Sequence, residues 1–76
     1  MKNRVKELRT LAGLTQQQLA DRVHVTARTI ISIEKGQYSP SLLLAYRIAL
    51  ALEAPMETLY CLEENKQQED QQYEDL

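Results

Sequence analysis

The chain has 76 residues, enough for one domain and not two. With 43% hydrophobic residues, no Trp or Phe, two Gly and two Pro, it can fill a small aliphatic core but not an all-β fold with many tight turns. The net charge of −2 divides unevenly: residues 1–62 hold eight basic and five acidic residues (+3), and residues 63–76 hold one and six (−5). A mildly basic body is compatible with nucleic acid, and the acidic end is a separate unit of composition. The lone Cys61 excludes an internal disulfide and a Cys-rich zinc site, and it suits a reduced, cytoplasmic setting. The first ten residues lack the apolar stretch of a signal peptide. No apolar run reaches bilayer length, so no membrane partner is expected.

Val5, Leu8, Leu11 and Ala12 recur at helical spacing and predict a first helix over residues 2–12. Gly13 supplies its stop. Thr15 and Gln18 form a capping-box pair that opens a second helix, whose buried stripe is Leu19, Ala20 and Val23. His24 falls in a tight turn. Thr26 is the N-cap of a third helix over residues 27–35, with Ile30 and Ile33 inward and Gly36 at its end. Ser39-Pro40 reads as the start of a fourth helix, because a capping hydroxyl precedes a proline. That helix carries Leu42, Leu44, Ala45, Ile48, Ala49 and Leu52 as its core stripe, and Ala54-Pro55 breaks it. Residues 56–60 make a short fifth helix with Leu59 inward. From Glu63 onward the chain is Gln- and acid-rich with almost no apolar residues, so it is expected to be flexible or loosely helical. The expectation is therefore an all-α domain over residues 1–62, a compact bundle of five helices, with an acidic tail over residues 63–76.

The second and third helices, joined by a short turn, have the pattern of a helix-turn-helix. Leu19, Ala20, Val23, Val25, Ile30 and Ile33 fix their angle. Thr26, Ala27, Arg28, Thr29, Ile31 and Ser32 are then left near the outward start of the third helix. Those residue types suit DNA. Arg28 can donate two hydrogen bonds to guanine, Ala27 can meet a thymine methyl, and Ser32 and Thr29 can reach base edges or phosphates. Gln16 at the start of the second helix, with Thr26, Lys35 and Tyr38, is placed to hold the phosphate backbone, which sets register.

The chain resembles the lambda-repressor-like (Cro/CI, or xenobiotic-response-element) helix-turn-helix regulators, in their small single-domain bacterial form. The resemblance is carried by Val5-Lys6-Glu7-Leu8-Arg9, Gly13-Leu14-Thr15-Gln16, Leu19-Ala20, Val25-Thr26, Thr29-Ile30, Ile33-Glu34-Lys35-Gly36, Pro40-Ser41-Leu42 and Ile48-Ala49. Each piece alone is weak; their order and spacing are specific. The resemblance implies a five-helix domain, operator DNA as partner and a homodimer. It also implies base contacts from Ala27, Arg28 and Ser32, a phosphate contact from Gln16, and a structural ion pair between Arg9 and Glu34. Two departures stand out. His24 occupies a turn position where the family usually has Gly, and Glu53 replaces the Gly that follows the fourth helix.

Leu43, Tyr46 and Leu50 give the fourth helix a second apolar face. With Tyr60 and Leu62 that face is expected to be a symmetric dimer patch. No nucleophile–base pair, paired acids, phosphate loop or metal-ligand spacing is present, so neither an enzyme nor a cofactor is expected. Two classes of function remain. One is a sequence-specific DNA-binding regulator, acting as a repressor. The other is a protein-binding module of the antitoxin kind, whose acidic tail covers a partner. The groove-facing Thr26, Ala27, Arg28, Thr29 and Ser32 include no acidic and no bulky apolar residue, which favours DNA.

Overall fold

The computed structural model describes residues 1–74. They form six α-helices, and no strand occurs among them. These are α1 (Val5–Leu11), α2 (Gln16–Val23), α3 (Ala27–Glu34), α4 (Leu42–Ala51), α5 (Met56–Leu59) and α6 (Leu62–Glu74).

The starts of α2 and α3 follow local chemistry. The Thr15 hydroxyl accepts from the Gln18 amide at 3.0 Å, and the Gln18 side chain accepts from the Thr15 amide at 2.8 Å. This reciprocal pair satisfies two donors that the first turn of a helix leaves without partners. The Thr26 hydroxyl accepts from the Thr29 amide. The start of α4 differs from expectation. Ser41, not Ser39, is its N-cap, with the hydroxyl accepting from the Leu44 amide at 3.2 Å. Pro40 thus precedes the cap.

Each of the first five helices stops at a residue with left-handed backbone. The φ values are 75° at Gly13, 63° at His24, 75° at Gly36, 52° at Glu53 and 49° at Cys61. At Gly13, Gly36 and Glu53 the amides close the two reversed hydrogen bonds of a Schellman motif. For Glu53 these are Glu53 to the Leu50 carbonyl and Ala54 to the Ala49 carbonyl. Glycine occupies two of these five positions, so His24, Glu53 and Cys61 carry backbone strain that glycine would not.

One core unites the helices. Val5 of α1, Leu19, Ala20 and Val23 of α2, Ile30 and Ile33 of α3, Ala45, Ile48 and Ala49 of α4, and Leu59 of α5 are buried together. Leu11, Ala12 and Leu42, expected inside, are exposed, because α1 and α4 bury a narrower stripe than their apolar content suggests. Tyr60 corrects another expectation. Assigned to a dimer face from its spacing, it is 1% exposed, and its hydroxyl donates to the Ala45 carbonyl at 2.8 Å. Burial raises its phenol above the ordinary tyrosine range. Cys61 is buried beside it.

The segment whose composition suggests a flexible or loosely helical tail continues as α6. Glu, Gln and Lys are good helix formers, and Glu63 and Glu64 sit in the first turn, where the helix dipole favours negative charge. Its first turn is clasped to the N-terminal segment. Asn65 Nδ2 donates to the Lys2, Tyr60 and Cys61 carbonyls, its Oδ1 accepts from the Lys2 amide, and the Lys2 ammonium lies 2.6 Å from Glu64. The hydrogen bond and charge of Glu64 lift the Lys2 ammonium above the usual lysine value. Past this clasp α6 stands out from the body, and the molecule measures 43 × 21 × 19 Å.

Candidate nucleic-acid interface

α2 and α3 pack closely through Ala20, whose small side chain is fully buried between them. The link between them is short. His24 donates its amide to the Ala20 carbonyl, Val25 does the same at 3.1 Å, and Thr26 is already the cap of α3. With Ile30 and Ile33 committed to the core, the opposite edge of α3 faces outward. Arg28 is exposed on it, and Ser32, one turn further on, is half-buried. Neither Arg28 nor Lys35 has an ion-pair partner among the described residues, so both charges are free for an external anion.

The other expected contact residues divide. Ala27 is half-buried and packs against the core while keeping an outward edge. Thr26 and Thr29 engage each other, with their hydroxyl oxygens 3.2 Å apart, so one O–H of the two is spent internally. Lys35 ends α3, and Tyr38 is exposed in the loop that follows. Gln16 begins α2, and its Nε2 donates to Glu34 Oε1 at 3.1 Å. This contact spans 18 residues in sequence and joins α2 to the end of α3, so no local pattern announces it.

The structural pair implied by the resemblance is in place. Arg9 Nε donates to Glu34 Oε2 at 2.7 Å and Nη2 to Oε1 at 3.3 Å, while Nη1 donates to the Leu14 carbonyl at 2.8 Å. The two side chains are only 11% and 4% exposed. Asn3, which sequence reasoning did not single out, donates to the Ile33 carbonyl at 2.8 Å and so ties the N-terminal segment to the end of α3. The Ala45, Ile48 and Ala49 face of α4 is buried, and Leu43, Tyr46 and Leu50 on the other side are 59%, 50% and 59% exposed. A shallow groove of about 340 Å³ runs between Leu42, Leu43, Tyr46 and Met56. Leu62, at the start of α6, is also exposed.

A helix-turn-helix family model matches residues 5–59, which contain both helices and their supports. The chain belongs to the helix-turn-helix family. A protein of Methanothermobacter thermautotrophicus, named an HTH-type transcriptional regulator, is 52% identical over 66 residues, covering 86% of this chain and 96% of its own. The Bacillus subtilis regulator YgzD is 52% identical over 64 residues, covering 84% and 97%. Among solved structures, the restriction-modification controller protein C.AhdI from Aeromonas hydrophila superposes with a TM-score of 0.69 at 33% identity. It covers 75% of this chain and 86% of its own. This helix-turn-helix chain is accordingly a transcriptional regulator with a DNA-binding fold; its family is one of regulators and not of enzymes. No described helix is long and apolar enough to cross a membrane, and no metal-ligating cluster occurs among the described residues.

Proposed function

We propose that the protein is a sequence-specific repressor that binds operator DNA as a homodimer, with α3 of each subunit in the major groove. The observation that supports this most is the outward edge of α3. An unpaired Arg28 lies beside the small Ala27 and Ser32, on a helix whose other side is locked into the core. Arg28 would read guanine with its two-pronged donor, Ala27 would meet a thymine methyl, and Ser32 would reach a further base edge. Gln16, Thr26, Thr29, Lys35 and Tyr38 would hold phosphates on either side of the groove.

One such unit reads only a few base pairs, so two are needed for a selective site. Leu43, Tyr46, Leu50 and Leu62 are the apolar residues available to join a second copy. A two-fold pair through α4 would set half-sites about one helical turn apart. Acting on DNA in this way, the protein would work in the cytoplasm. The solved neighbour's name, a controller protein, agrees with a gene-control role. The acidic α6 keeps a second reading in view: a protein partner held along α6, as in an antitoxin.

The test is selection of genomic fragments by the purified protein, repeated with Arg28→Ala. Enrichment of a palindromic site is expected, with loss of selectivity at one base pair per half-site in the variant and an affinity lower by about tenfold or more. No sequence preference at moderate salt would refute the DNA reading. Unchanged specificity in Arg28→Ala would remove the role of Arg28 alone.

A further inference from the structure

Glu34 sits at the end of α3, away from Arg28, and is almost closed to solvent. A buried carboxylate needs a cation, and Arg9 supplies one with two hydrogen bonds. Its third donor calls for a separate explanation. Gln16 Nε2 crosses from α2 to reach Glu34 Oε1, although Gln16 begins its helix at the surface edge of the interface.

The chemistry of the two groups decides how the amide must lie. A carboxylate only accepts, so nitrogen and not oxygen of the Gln16 carboxamide has to face it. That nitrogen carries two hydrogens. One is bound to Glu34, and the second is left for an acceptor outside the protein. A carboxamide free to rotate would present its oxygen to a phosphate half of the time and would lose side-chain freedom on binding. Anchored by Glu34, it loses that freedom during folding instead. Arg9 adds two things: it neutralises Glu34, so no bare negative charge stands behind a phosphate, and through Nη1 it holds the Leu14 carbonyl just before α2.

We propose that Glu34, charge-balanced by Arg9, is the positioning residue that presents Gln16 to a DNA phosphate. This rests on the DNA-binding reading. It gives the Arg9–Glu34 pair a part in recognition besides its part in folding.

The experiment is a mutant cycle on the selected operator, with thermal unfolding of each variant alongside. The variants are Gln16→Ala, the paired swap Arg9→Met/Glu34→Leu, and all three changes together. Replacing a buried ion pair by apolar residues of similar volume leaves many proteins folded, which is why both partners change at once. Gln16→Ala and the paired swap are each expected to weaken operator binding by roughly tenfold per half-site, the worth of one hydrogen bond to a charged group. The triple variant is expected to bind no more weakly than either, because both changes remove the same contact. A folded paired swap with wild-type affinity overturns the proposal. So does a triple variant whose loss is the product of the other two. If the paired swap does not fold, Glu34→Gln takes its place. Its oxygen stays with Arg9, and its N–H faces Gln16, turning the Gln16 amide over. It is expected to weaken binding in the wild-type background and to have no effect in the Gln16→Ala background; equal effects in both overturn the proposal. Wild-type protein without sequence preference defeats the DNA reading itself, and with it this proposal, before any variant is compared.

Discussion

His24 and Glu53 both close a helix in the left-handed conformation, at φ 63° and 52°, in the role that Gly13 and Gly36 fill elsewhere in the same chain. Both side chains are exposed, so replacing either by Gly removes backbone strain without emptying the core. An L-residue in this conformation costs about 1–2 kcal/mol, and the extra freedom of Gly in the unfolded chain returns about 0.5–1 kcal/mol of that gain. The net stabilisation is about 0.7 kcal/mol per site. The sites share no hydrogen bond, so the double variant His24→Gly/Glu53→Gly gains about 1.5 kcal/mol. For a domain of this size that raises the unfolding midpoint by roughly 6–12 °C. Glu53→Gly contributes the larger share, since histidine tolerates left-handed backbone better than glutamate. Cys61→Gly serves as the contrast. It relieves the same strain at φ 49° but deletes a buried side chain, so its midpoint stays level or falls. Thermal unfolding followed by far-UV circular dichroism measures all four. A His24→Gly or Glu53→Gly variant that melts at or below the wild-type temperature would refute the assignment of strain to these helix ends.

Glu34→Ala strands the buried Arg9 guanidinium and is expected to cost about 3–5 kcal/mol in urea unfolding, far more than the loss of the solvent-exposed Lys66–Asp70 pair. Tyr60→Phe loses the bond to the Ala45 carbonyl, at about 1 kcal/mol near neutral pH. The folded protein holds the Tyr60 proton more tightly than the unfolded chain does, so this contribution is fully present below about pH 10 and is lost as pH rises above it. In that alkaline window the wild type is expected to lose up to about 1.4 kcal/mol more per pH unit than Tyr60→Phe; parallel curves would rule this out. Leu43→Glu/Leu50→Glu is expected to sediment at monomer mass under conditions where the wild type is dimeric, and an unaltered mass would exclude that face of α4. Asn65→Ala removes the clasp on α6 and is expected to speed amide exchange along α6 while leaving that of α3 unchanged.

What the sequence revealed and what it withheld divide by the range of the interactions. Thr15 with Gln18, Thr26, Gly13 and Gly36 act within one turn of their own helix, and each can be read directly from its neighbours. The apolar period of α2 and α3 is equally local, and with the caps it fixes the two helices of the helix-turn-helix. Ser39 and Ser41 flank Pro40: Ser39 satisfies the rule of a hydroxyl before proline, whereas Ser41 is the residue that caps the helix. The choice of Ser41 depends on which turn of α4 brings Ala45, Ile48 and Ala49 onto the core. Tyr60 read as a surface aromatic because its hydroxyl partner, the Ala45 carbonyl, lies 15 residues away.

The same distinction explains why the site was only partly legible. Arg28 and Ser32 are named by their place on one helix, since outward is whatever Ile30 and Ile33 are not. Gln16 can be placed at the start of α2 from the sequence, but its setting comes from Glu34, which in turn is set by Arg9. Three residues on three different helices therefore determine one amide. A period or a capping rule cannot supply that information, because it exists only once α1, α2 and α3 have packed. A residue type that reads as an ordinary surface glutamine becomes a fixed donor through a carboxylate 18 positions later. Substitutions at Arg9 or Glu34 should accordingly be judged by two measurements, unfolding and operator binding, and a change in one does not foretell the other.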